Sequence, residues 1–187
     1  MSKVNQNKQK IKQLSKTTGY SIENGFKQIG IYVDNLMANQ FGYLLLYQTA
    51  LFNQENFGAS FSVFARDKLP PCLIPTIPIF NARDIVGFDG NIIATSIKNV
   101  KELSRATRAK KFFYIFDLEW KQKDVIISRI DVQSILKDPN IIKFTRSKEY
   151  YDCIKDECEN LSQTLVPNCE PNLILEIVNE SEHNESS

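Results

Sequence analysis

Lys111-Phe112-Phe113-Tyr114-Ile115-Phe116-Asp117-Leu118 is the stretch from which the fold can be read. Successive side chains of a strand point to opposite faces, and here both faces are apolar. A strand greasy on both sides belongs in the middle of a sheet that is covered above and below, which is the signature of a parallel sheet in an α/β protein. Similar short apolar runs lie on either side of it. Gln28–Val33, Ser60–Ala65, Asn91–Thr95 and Ile141–Phe144 read as buried strands. Leu73–Phe80 is also apolar but carries two prolines, so it is expected only as an edge or partial strand.

Helical patterns separate these runs. Leu36–Asn53 places Phe41, Leu44, Leu45, Gln48 and Phe52 near one face. Asn81 is positioned to cap a short helix to Phe88, Ser96 to cap Ile97–Thr107, and Ser147 to cap Lys148–Leu161. Asp131–Lys137 reads as a further short helix. Asp124–Ser128 is a strand or part of a helix, and Pro171–Val178 a final strand or helix. Alternation of this kind predicts a single Rossmann-like α/β domain over residues 21–178, with a mostly parallel sheet and helices on both faces. Residues 1–20, with five lysines and no acid before position 18, are expected to form a flexible basic arm. Residues 179–187 are expected to form a disordered acidic tail.

Composition narrows the function. The 187 residues suit one sizeable core, and a formal net charge of +1 gives no overall pull toward nucleic acid or membrane. No apolar run is long enough to span a bilayer, and the N-terminus lacks the apolar segment of a secretory signal. Cys72, Cys153, Cys158 and Cys169 include no Cys-x-x-Cys, which fits reduced thiols and a cytoplasmic location. The single histidine, His183, falls in the polar tail, so neither a zinc site nor a histidine-dependent triad is expected. Asp34-Asn35-Leu36-Met37-Ala38-Asn39 follows the first strand without the glycines of a dinucleotide fingerprint, and no Walker loop occurs.

Ligands of open α/β sheets gather beyond the carboxyl ends of the strands, so the residues there are the candidates. Asp34 and Asn35 follow the first strand and Thr95 ends the third; Asp34 could bond a ligand hydroxyl or cap the helix after it. Asp117 and Glu119, if the strong strand continues, project to one side as a pair of carboxylates, and Trp120 to the other as a stacking surface or a core cover. Arg146 and Ser147, before a helix, could hold an anion or serve as an ordinary cap.

Phe88-Asp89-Gly90-Asn91-Ile92-Ile93-Ala94-Thr95-Ser96, the stretch Lys111 to Leu118 with Glu119-Trp120 after it, and Arg146-Ser147-Lys148-Glu149-Tyr150 together resemble glycosyltransferase-like proteins of large tailed phages of marine bacteria. The likeness spans roughly residues 28–160, and the Asp-Leu-Glu-Trp ending is its most distinctive part. It implies a GT-B-type Rossmann-like domain and transfer of sugar from a nucleotide-sugar to a hydroxyl acceptor, such as a phage DNA base or a glycan. Asp117 or Glu119 would activate the acceptor, and Arg146 with Ser147 would hold phosphate. It implies no other cofactor, and nucleic acid enters only as an acceptor. Enzymes of that fold use two such domains, and this length accommodates one. A lone domain would be inactive, would dimerise to build a cleft, or would act as a non-catalytic interaction module for a protein partner.

Overall fold

Backbone hydrogen bonds join the apolar runs into a six-stranded sheet in the order β3-β2-β1-β4-β5-β6, and every neighbouring pair is parallel. The strands are β1 (Lys27–Val33), β2 (Ala59–Ala65), β3 (Ile79–Asn81), β4 (Asn91–Ala94), β5 (Lys110–Ile115) and β6 (Ile141–Thr145). The helices are α1 (Gln40–Glu55), α2 (Ile97–Glu102), α3 (Arg129–Leu136), α4 (Lys148–Ile154) and α5 (Pro171–His183). Short 3-10 turns occupy Ala82–Gly87, Glu119–Lys121 and Pro167–Cys169. This computed structural model describes residues 26–34, 36, 40–56, 58–66, 77–103, 108–122 and 126–183. The proposed basic arm, Asn35 and most of the proline-rich run before β3 lie outside the described residues.

Two apolar layers cover the sheet. On one face Ile29, Ile31, Val33, Phe61, Val63, Phe112, Tyr114 and Phe144 meet Leu45 and Phe52 of α1 and Ile174, Ile177 and Val178 of α5. On the other, Tyr32, Phe64, Ile92, Ala94, Phe113 and Ile115 meet Ile97 and Val100 of α2, Val132, Ile135 and Leu136 of α3, and Ile154 of α4. The expected Rossmann-like α/β domain with helices on both faces is therefore what forms. Gly30 marks the tightest packing: a Cβ there would stand 2.7 Å from Ile92 Cδ1 and 2.8 Å from Phe64 Cε2.

The caps form where expected. Asn81 and Asp84 make a capping box, Ser96 Oγ accepts from Asn99 N–H, and Ser147 Oγ accepts from Tyr150 N–H.

Of Asp124–Ser128, read as a strand or part of a helix, the described residues 126–128 are irregular, and three further elements differ from the sequence reading. First, β5 stops at Ile115, because Phe116 N–H turns back to donate to Tyr114 O at 3.0 Å. Second, α4 ends at Ile154, not Leu161. Beyond it the chain returns along the outer edge of β6, where Lys143 N–H donates to Asn160 O and Ser162 N–H to Lys143 O. Third, Pro171–Val178, expected as a final strand or helix, is a helix that continues through His183, past residue 179 where a disordered tail was expected. Its last turns are tied down: Lys27 Nζ pairs with Glu182 at 2.6 Å and also donates to Asn179, and Lys110 Nζ donates to Ser181 O at 2.7 Å. Among the described residues no helix is long and apolar enough to cross a membrane.

Candidate functional site

The strand order reverses between β1 and β4: from β1 the chain moves outward to β2 and β3, then returns to β4 and runs the other way. Connections leaving the carboxyl ends of these two strands diverge, and in such sheets the crevice between them is where ligands bind. Its edge is built from Asp34 after β1 and Thr95 and Ser96 after β4. Thr95 Oγ1 donates to Tyr32 O at 3.0 Å and Asn99 Nδ2 donates to the same carbonyl at 3.1 Å, which ties the end of β1 to the turn leading into α2.

Asp34 follows β1, and the described part of α1 begins at Gln40. The Asp34 carboxylate pairs with Arg66 Nε at 3.4 Å and Lys98 Nζ at 3.2 Å. Arg66 follows β2 and also donates through Nη2 to Glu102 at 2.5 Å and to the Tyr32 hydroxyl at 3.2 Å. The Tyr32 hydroxyl in turn donates to Glu102. Burial, and then the hydrogen bond to Glu102, push Tyr32 up to about 12, so its phenol keeps its proton at neutral pH.

Asp117 and Glu119 do not form the strand-paired carboxylates that alternation predicts, because β5 has already ended. Asp117 is exposed, and its carboxylate is engaged by neighbouring groups. Its Oδ1 accepts from Leu118 N–H at 2.8 Å and from the Tyr150 hydroxyl at 3.2 Å, and its Oδ2 from Gln122 Nε2 at 2.6 Å. Glu119, half-buried in the 3-10 turn, reaches across to the start of α2, where Oε1 accepts from Ile97 N–H at 2.5 Å. Burial raises the Glu119 carboxyl above its ordinary 4.5. The Ile97 N–H opposes that rise, and the nearby Asp34 and Asp117 charges add to it.

Trp120 is half-buried and packs on the α2–α3 face of the core. That is the core-covering alternative of the sequence reading, and its ring is used for packing. Arg146 lies between two rings, 4.7 Å from the Phe116 centroid and 4.8 Å from that of Tyr150, and donates to the Tyr150 hydroxyl at 2.8 Å. Ser147 is the ordinary cap of α4.

The structure thus gathers Asp34, Thr95 and Glu119 at the crevice. It joins Asp117 to Arg146 through Tyr150 in a second, adjoining group. Tyr32, Arg66, Lys98 and Glu102 were not singled out from sequence. Arg66 had a usable signal, since it is the first residue after a predicted strand. Among the described residues no cluster of three or more His, Cys, Asp or Glu could hold a metal ion. Comparison with protein-family models, curated proteins and solved structures finds no match to this chain.

Proposed function

We propose that this chain is a glycosyltransferase-like protein that binds a nucleotide-sugar at the carboxyl end of its sheet and presents an acceptor hydroxyl to Glu119. One observation carries this reading. Glu119 is a desolvated carboxylate at the β1–β4 crevice; one of its oxygens is held by Ile97 N–H, and the other forms no hydrogen bond among the described residues. A carboxyl group with a raised proton affinity, fixed by one oxygen and open at the other, suits removal of a proton from a sugar or base hydroxyl. Asp34 and Thr95 line the same crevice and can bond ligand hydroxyls. Asp117, engaged by three hydrogen bonds, acts as a positioning group that holds Tyr150 and Arg146.

Titration calorimetry with UDP-glucose, together with a transfer assay using hydroxyl acceptors, tests the reading. Glu119→Gln keeps an acceptor for Ile97 N–H but cannot take a proton. It is expected to bind the nucleotide-sugar normally and to lose about 100-fold or more in transfer. Undiminished transfer by this variant, or no nucleotide-sugar binding by folded protein, overturns the proposal.

A second reading, a non-catalytic module for a protein partner, draws on a different observation. Ile126 is fully exposed and Ile130 is 78% exposed, four residues apart in sequence at the entry to α3. Exposed isoleucines favour contact with another apolar surface. Folded protein that binds no nucleotide-sugar but loses a partner on Ile130→Glu substitution would select it.

A further inference from the structure

We infer that a cleft of about 500 Å³ beside the crevice, between the ends of β1–β3 and the Ala82–Gly87 turn, is a binding site for the phosphoryl group of a small phosphate ester. It is lined by Tyr32, Arg66, Asn81, Arg83, Ile85 and Glu102, with Ala82 and Val86 at its margin. Its volume is in the range of small-molecule sites and too large for phosphate alone.

The argument for phosphate is a balance of donors and acceptors. Among the described residues Glu102 is the one carboxylate in the lining, and Tyr32 and Arg66 already donate to it. Arg66 uses Nε toward Asp34 and Nη2 toward Glu102 and Tyr32, which leaves the two donors of Nη1 without a partner among the described residues. Arg83 is exposed, and its guanidinium forms no hydrogen bond or ion pair among the described residues. Asn81 spends its Oδ1 on Arg83 N–H, so its Nδ2 donors remain. The lining thus carries donors in surplus, from Arg66 Nη1, the Arg83 guanidinium and Asn81 Nδ2, so a ligand with negative charge and several acceptor oxygens suits it. A phosphate has both, and guanidinium groups bind it through paired, charge-assisted hydrogen bonds. Arg66 is held in place on one side by Asp34, Glu102 and Tyr32, so little ordering is required of it. Ile85 and Val86 supply an apolar wall for the organic part of the ester. Phosphate binding here does not require sugar transfer, and the cations involved lie apart from Arg146, whose guanidinium is engaged between Phe116 and Tyr150.

Calorimetric titration of the full chain at low salt with pyrophosphate, UMP and glucose 1-phosphate tests this, with uridine and glucose as uncharged controls. The phosphorylated probes are expected to bind and the controls not to, and the better of UMP and glucose 1-phosphate identifies the organic part. Arg83→Glu, at an exposed position, is expected to keep the urea midpoint and weaken the phosphate probes at least about tenfold. Glu102→Gln, which keeps an acceptor for Tyr32 and Arg66 and removes the opposing charge, is expected to tighten them. Failure of every phosphate probe to bind folded wild-type protein, or binding that Arg83→Glu leaves unchanged, overturns the inference. UDP-glucose binding that ignores Arg83→Glu overturns it while leaving the sugar-transfer reading intact. Phosphate binding through Arg83 with no binding of UDP-glucose does the reverse.

Discussion

Glu119 shows how one side chain's surroundings set its chemistry. Burial opposes its ionisation, and one peptide N–H only partly compensates. The sign of the resulting pH dependence follows from linkage. A carboxyl whose folded pKa lies above its unfolded value favours folding while protonated. Its contribution is fully present below about pH 4.5 and is lost as pH rises through the raised folded value. The stability difference between wild type and Glu119→Gln should therefore shift in favour of the variant as pH rises, then level off. Urea unfolding of both proteins between pH 4 and 8 measures it, and a difference independent of pH would contradict the assignment. Single residues were only partly legible in the sequence. Ser96 and Ser147 were, because a cap acts on N–H groups two or three residues away. The ring contacts of Arg146 and the ion pairs of Asp34 were not, because their partners come from other elements.

At the scale of elements, local pattern gives the type of most strands and helices but leaves Pro171–Val178 open between the two, and the ends of the elements follow from packing. Nothing in Phe116-Asp117-Leu118 distinguishes it from more strand; the turn that ends β5 returns Leu118 to the core and so misplaces the expected carboxylate pair. The edge of β6 depends on a residue that a hydropathy pattern would put outside. Lys143 is fully buried, and its ammonium, pushed below lysine's usual range by that burial, donates to Glu159 O at 2.9 Å and to Asp138 O. It thereby fastens the loop before β6 and the returning segment after α4 to the same strand. Lys143→Met removes the charge but strands two carbonyls, and is expected to cost about 1–3 kcal/mol or more. Urea unfolding measures the loss; a variant as stable as wild type would show that water satisfies those carbonyls equally well.

At the scale of the molecule, one sheet carries both cores, so damage to one face should be felt on the other. The single tryptophan, Trp120, packs on the α2–α3 face, and Ile177 of α5 is buried on the opposite one. Ile177→Ala is expected to destabilise by about 2–5 kcal/mol. If the domain unfolds as one unit, the Trp120 fluorescence midpoint in urea should fall with the far-UV circular dichroism midpoint. A Trp120 transition that stays put while the dichroism shifts would show two separately unfolding layers. The exposed crevice, the phosphate cleft and the Asp117–Arg146 group all sit on the carboxyl edge of this shared sheet, where strand order, not local sequence, brings them together.

The alternation of apolar runs and capped helices was enough to settle an α/β domain with a parallel sheet, because periodicity and capping act over a few residues and a strand apolar on both faces has to be covered twice. Strand order, the early end of β5, the burial of Lys143 and the assembly of Tyr32, Arg66 and Glu102 were decided by the tertiary structure. Each depends on groups distant in the chain meeting across the sheet, where burial and pairing fix which polar atoms are spent and which remain for a ligand.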